Sequence, residues 1–306
     1  MPHIVDDLIE ERALRLRESP LLWRSIRPLI YPLLGYRMAI QMADTIRPMS
    51  AIEAFRYLSE TLGLDVRCEG LEYIPPTGLA VVTPNHPSGI ADGIAAFDAL
   101  RQVREDISFF ANRDAIRVCP GLAEMVVPVE WMETRRDHAR RRETVRAMAQ
   151  AFREERLIVI FPSGRLARPT LRGLVERDWM PSALNVAARY GAPVTPLHIE
   201  GRNSWLYYLF YAIHHELRDM TLFRELLNKR GRRYHVRIGA PFQPRGDPGE
   251  LARALRRFVT ENLPRGDVDF SPPETASPAH AGRRSSSALR PARRGEREPR
   301  APPRHR

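Results

Sequence analysis

The strongest constraint on this chain is an alternation in its middle, where short apolar runs take turns with stretches of helical periodicity. The run Leu79–Val82 leads into a helical stretch near Gly89–Arg101, and Ser108–Ala111 follows as a second run. The next cycle pairs a helix over Arg140–Glu155 with the run Leu157–Phe161; a third pairs Ser182–Tyr190 with Val194–Ile199. Val145, Met148, Ala149 and Phe152 stand at i, i+3, i+4 and i+7, a spacing that predicts one buried helix face. Tyr234–Ile238 reads as a further strand and Glu250–Asn262 as a final helix. Strands separated by helix-length crossovers build parallel sheets, so the expected fold is α/β, a mostly parallel sheet flanked by helices.

The flanks differ in texture. From Ile4 to Leu62 the pattern is helical, and prolines at 20, 28, 32 and 48 are expected to break it into segments. Within it, Leu21–Met42 mixes Leu, Ile, Trp, Tyr and Met with Arg24, Arg27 and Arg37. Arginine stems lie along apolar surfaces while their heads stay in water, so this stretch reads as an interfacial amphipathic helix pair. Helices packed on the domain core would show the same pattern. Beyond Phe270 the chain turns to Ser, Pro, Ala, Gly and Arg, which bury too little apolar area to offset chain entropy, and disorder is expected. The expected division is a helical docking segment 1–65, an α/β domain 66–270 and a disordered tail 271–306.

The formal charge of +11 is unevenly spread, since residues 271–306 hold nine Arg against three Glu. Only Lys229 among the 48 basic residues is a lysine, so Arg content reflects coding bias as much as function. The balance still points to an anionic partner: phospholipid headgroups, nucleic acid or phosphorylated substrates. No apolar run reaches the roughly 18–20 residues that cross a bilayer, the best candidates being Pro28–Tyr36 and Trp205–Ile213. Met1–Glu11 is acidic and does not read as a signal peptide. Cys68 and Cys119 fit no disulfide or metal framework, which favours a reducing compartment.

In α/β sheets ligands gather at the carboxyl ends of strands, so the strand-to-helix turns carry the candidates. The first reads Thr83-Pro84-Asn85-His86-Pro87-Ser88-Gly89-Ile90-Ala91-Asp92-Gly93. It delivers a histidine, suited to general-base work near neutral pH, with a carboxylate in the following helical turn to fix its tautomer. A histidine so placed is, on its own, more often a capping or packing residue. The second turn, Phe161-Pro162-Ser163-Gly164-Arg165, offers backbone N–H groups and a guanidinium to an anion. Phe109-Phe110-Ala111-Asn112-Arg113 ends another strand, and Ala192-Pro193-Val194-Thr195-Pro196 opens a fourth block.

In this order the four blocks resemble those of the glycerolipid acyltransferase family, which includes bacterial 1-acyl-glycerol-3-phosphate acyltransferases and their lyso-ornithine-lipid relatives. The resemblance runs from about Val66 to Phe242. It implies acyl transfer from acyl-CoA or acyl carrier protein to the hydroxyl of a lysophospholipid of the 1-acyl-glycerol-3-phosphate type, or alternatively of a lyso-ornithine lipid, on the cytoplasmic face of an anionic membrane, with no cofactor. It further implies His86 as base, Asp92 as its partner, and Asn85, Arg113, Ser163, Gly164 and Arg165 around the acceptor. Two departures stand out. Five residues separate His86 from Asp92 where four are common, a variant found in one bacterial branch. The usual Phe-Pro-Glu-Gly-Thr-Arg becomes Phe-Pro-Ser-Gly-Arg-Leu, which removes a carboxylate at Ser163 and moves the arginine one place earlier.

Residue types agree with this chemistry. A thioester is already activated, so no metal is needed, and a base on the hydroxyl is worth on the order of 10²–10⁴ in rate. No nucleophile elbow, Walker A loop or GxGxxG motif occurs. His214-His215-Glu216 reads as a surface triplet. The aromatic run Trp205–Ile213 suits a membrane-interface belt, an acyl groove or a buried helix. The cluster Arg135, Arg136, Arg140, Arg141 and Arg142 suits anionic lipid or a solvated helix face. The competing class is a non-enzymatic, charge-driven membrane or RNA binder; no RNP, KH or zinc signature supports a specific nucleic-acid partner.

Overall fold

The structure is a computed structural model that describes residues 3–130, 137–171 and 173–273. Five helices come first: α1 (Ile4–Arg12), α2 (Leu14–Arg17), α3 (Pro20–Leu33), α4 (Tyr36–Ile46) and α5 (Ala51–Leu62). Pro20 starts α3 and Pro48 separates α4 from α5, as expected, but Pro28 and Pro32 lie inside α3. Both are exposed, so the carbonyls they leave without a helical partner face water and the helix continues. Val5, Ile9, Trp23, Tyr31, Leu34, Ala39 and Ala43 form a separate apolar cluster with Met220.

The strands and crossovers follow as β1 (Asp65–Glu69), β2 (Ala80–Pro84), α6 (Ile90–Leu100), β3 (Ile107–Asn112), α7 (Asp114–Val118) and β4 (Val126–Val129). Then come α8 (His138–Arg153), β5 (Leu157–Val159), a hairpin of β6 (Arg168–Thr170) and β7 (Gly173–Val175), α9 (Ser182–Tyr190) and β8 (Val194–Glu200). The described chain closes with α10 (Trp205–Ile213), α11 (His215–Met220), α12 (Leu222–Leu227), β9 (Arg233–Ile238) and α13 (Pro248–Arg257). Seven strands make one sheet in the order β1-β9-β8-β2-β5-β3-β4. Every neighbouring pair is parallel except β8–β9.

The central strand β2 is buried along its whole length, which is why its sequence reads as an unbroken apolar run. Its side chains alternate between two cores: Ala80 and Val82 join α5 and α6 on one face, and Val81 joins α8, α9 and α13 on the other. The expected layers are therefore present, with two strands the periodicity did not announce. β1 and β4 are the two edges: β1 alternates exposed and half-buried residues, while β4 is buried through Pro128, a proline tolerated because an edge strand has one row of N–H groups outside the ladder. On α8 the buried face is Met148, Ala151 and Phe152, whereas Val145 is 55% exposed. Thr144 ties this half of the helix to the Pro128 carbonyl of the edge strand, and among the described residues no strand lies beyond β4 to cover Val145. Arg135 and Arg136 lie outside the described residues, as does the tail from residue 274.

Candidate active site

The loop from Asn85 to Gly89 joins β2 to α6 at the carboxyl edge of the sheet. Gly89 has φ +99°, which lets the chain turn sharply into the helix and puts Asp92 in the first helical turn. There Asp92 is fully buried and caps the helix, accepting from the Ser88 N–H at 2.8 Å and the Gly89 N–H at 2.9 Å. Its Oδ2 also lies 2.9 Å from His86 Nδ1, and the Ser88 hydroxyl donates to Oδ1. The five-residue spacing therefore brings imidazole and carboxylate into direct contact, because the loop folds back over the helix start. A carboxylate on Nδ1 assigns the proton to that nitrogen and leaves the Nε2 lone pair available. Among the described residues Nε2 has no protein partner.

The surroundings hold this pair in place. The His86 ring packs against Phe161, with centroids 4.4 Å apart, so the second motif's aromatic residue walls the first motif's histidine. Tyr234 on β9 hydrogen-bonds the Ser88 hydroxyl at 2.8 Å, and burial pushes its phenol well above the usual range. A Cβ at position 201 would come within 2.8 Å of the Tyr234 ring and 3.2 Å of the Ser88 hydroxyl, so Gly201 is what lets the chain pass there. Asn85, expected around the acceptor, is committed elsewhere. Its amide donates to the Ile199 carbonyl at 3.0 Å and its oxygen accepts from the Ile199 N–H at 2.6 Å. It extends the β2–β8 ladder by one rung.

The strand register explains which distant residues meet here. Val82, Val159 and Phe109 are aligned across β2, β5 and β3, and His86, Ser163 and Arg113 each follow four residues later. Two strand spacings of ~4.8 Å separate the first and last of these strands. Arg113 donates from Nη1 to Glu143 at 2.7 Å, while its buried Nε and Nη2 have no partner among the described residues. The Phe161–Arg165 turn is more closed than its composition suggests. The Gly164 N–H donates to the Phe161 carbonyl at 3.0 Å and the Ser163 hydroxyl to the Arg165 carbonyl at 2.9 Å, so neither offers its donor to a ligand. The Arg165 side chain is exposed.

Sequence reasoning missed Tyr234, Glu176 and Trp179, which come from a strand and a hairpin exit with no motif of their own. Glu176 is buried and accepts from the His86 N–H at 3.1 Å. The surface expectation for the 214–216 triplet fails at Glu216. That carboxylate is buried and accepts from the N–H groups of Arg15 and Leu16, capping α2. Asp98, six residues beyond Asp92 on α6, is held elsewhere: it accepts from Ser59 at 2.6 Å and pairs with Arg101.

The Acyltransferase family profile matches residues 65–200, from the first residue of β1 to the last of β8. The match covers the sheet from β1 through β8 with the crossovers between them. The chain is similar to the lyso-glycine lipid O-acyltransferase of Phocaeicola vulgatus, 25% identical over 212 residues, covering 65% of this chain and 74% of the relative. The protein of the same description from Bacteroides thetaiotaomicron is 24% identical, over 65% of this chain and 76% of its own. A crystal structure of the 1-acyl-sn-glycerophosphate acyltransferase of Thermotoga maritima aligns at TM-score 0.42 and 20% identity, covering 79% of this chain and 97% of that one. The matched segment holds both the His86–Asp92 contact and the Phe161–Arg165 turn, while α1–α5 and the chain after Glu200 lie outside it.

Proposed function

We propose that the chain transfers an acyl group from acyl-CoA or acyl carrier protein to the hydroxyl of a lysolipid with an anionic headgroup, with His86 as the base. The observation that carries this reading is the buried Asp92–His86 contact, which leaves Nε2 free at the sheet's carboxyl edge. Nε2 takes the hydroxyl proton as the lipid oxygen bonds to the thioester carbon. Asp92 steadies the imidazolium so formed. The C–S bond then breaks, and the proton passes from the imidazolium to the departing thiolate.

For the acceptor, Arg113 has two buried donors without a partner, a fork suited to a carboxylate or a phosphate. The relatives' description favours a lyso-glycine lipid, whose headgroup ends in a carboxylate; the family resemblance also admits a lysophosphatidate. Docking at an anionic membrane fits the exposed Leu21, Leu29 and Leu33 beside Arg24 and Arg27, and the exposed Trp205, Leu209 and Ile213 on α10. No helix among the described residues is long and apolar enough to cross a membrane. Mass spectrometry after incubation with an acyl thioester and a panel of lysolipids tests the reading. Diacylation of an amino-acid lysolipid supports the first acceptor and of lysophosphatidate the second; no acylated product with any member would defeat the reading.

A further inference from the structure

Resting on that reading of His86, we propose that Glu176 is a positioning residue that supplies, from beyond the β6–β7 hairpin, the carboxylate missing at Ser163. Where the family pattern has Glu, Ser163 stands 6% exposed at the foot of the turn. Thirteen residues later the chain returns to this turn, where the Met180 N–H donates to the Pro162 carbonyl at 3.0 Å, and it brings the Glu176 carboxyl to the histidine. Its Oε2 accepts from the His86 N–H at 3.1 Å and its Oε1 from Trp179 Nε1 at 3.3 Å. The Glu176 carbonyl is held in turn by Arg256, 3.3 Å away. Glu176 is 7% exposed, and burial pushes its carboxyl pKa up against the opposing His86 N–H.

The consequence is three-point fixation of the base. Asp92 holds the ring at Nδ1, Glu176 holds the backbone N–H, and the Ala167 N–H holds the His86 carbonyl at 2.9 Å. Two of the three come from the strand of chain after β5, so the Phe161–Trp179 segment acts on the histidine as well as on any acceptor. An ångström of misplacement at a reacting group lowers rate by up to about 10²-fold. Carboxylate and imidazolium also attract, so Glu176 is a second counter-charge for the charged histidine. A buried carboxylate that merely packed would need neither the contact with His86 nor a place next to the altered motif position.

The test compares full-length His86→Ala, Glu176→Gln, Glu176→Ser and the exchange Ser163→Glu/Glu176→Ser, each checked for folding by circular dichroism. Glu176→Gln is expected to lower kcat about 10- to 100-fold with KM within about twofold. The exchange should recover at least about fivefold over Glu176→Ser, since the two sites share one pocket and their effects are coupled. Turnover of Glu176→Gln within twofold of the parent, or an exchange no better than Glu176→Ser, overturns the proposal. Should Glu176→Ser not fold, Glu176→Gln against the parent decides. Normal turnover in His86→Ala would instead overturn the underlying reading; loss there with Glu176→Gln unchanged would overturn this inference alone.

Discussion

The loop after β2 and the chain ends after β3 and β5 lie along one edge of the same sheet, yet they are built on opposite plans. In the first, the polar groups of Asp92, Ser88 and Asn85 are paired with protein partners, and only His86 Nε2 stays open. In the second, Arg113 keeps two buried donors unpaired and Arg165 lies exposed. A closed network fixes a reacting atom, whereas open donors wait for a ligand's charge. On the proposed reading, the first region serves the chemistry and Arg113 in the second serves the choice of acceptor.

Substitutions can break that contrast, and the largest effect is expected at the histidine. His86→Ala should reduce kcat by about 10²–10⁴ with lysolipid binding retained, measured by steady-state turnover and equilibrium binding. Asp92→Asn removes the charge that four donors surround and offers an amide N–H where an acceptor is needed. Its loss should approach that of His86→Ala, and the double variant should lose little more than the histidine variant alone. Independent, multiplying losses in the double variant would show that the two residues do not act as one unit.

On the open side the effect should fall on binding. Arg113→Ala is expected to raise KM for the lysolipid about tenfold with kcat nearly unchanged, consistent with about 1.5–3 kcal/mol for a hydrogen bond to a charged group. Arg113→Lys should rescue only part, because an ammonium has no fork. A kcat loss without a KM change would place Arg113 with the closed region instead. The smallest effect belongs to Asp98, whose carboxyl burial already pushes above its usual range despite Ser59 and Arg101. Asp98→Asn should leave turnover within about twofold, the scale of a substitution worth ±0.5 kcal/mol. A dead Asp98→Asn beside an active Asp92→Asn would reverse the assignment of the carboxylate.

Much of the architecture was legible because it is periodic. The runs over Leu79–Val82, Leu157–Phe161 and Val194–Ile199 announced β2, β5 and β8, since strands covered on both faces cannot afford polar residues. The edge strands β1 and β4 were not legible: β1 is half-solvated and tolerates Arg67 and Glu69, and β4 is a four-residue edge strand carrying Pro128. Val145 was misread for a related reason: periodicity states which side of a helix could be buried, not whether a neighbour extends far enough to bury it.

Local sequence also determined the His86–Asp92 contact in outline, because both residues lie within one loop and one helical turn. A glycine at 89 and a carboxylate three residues later fix that geometry with little outside help. Only tertiary structure decided the rest of the site. Tyr234 arrives from β9, the Ile199 ladder occupies Asn85, and Glu176 comes back through a hairpin to a serine where the family pattern carries a carboxylate. None of these pairings is written in a spacing, because hydrogen bonds between residues 90 to 146 positions apart depend on which strands lie side by side. Strand order is settled by how two hydrophobic cores close around β2, and that is a property of the whole chain.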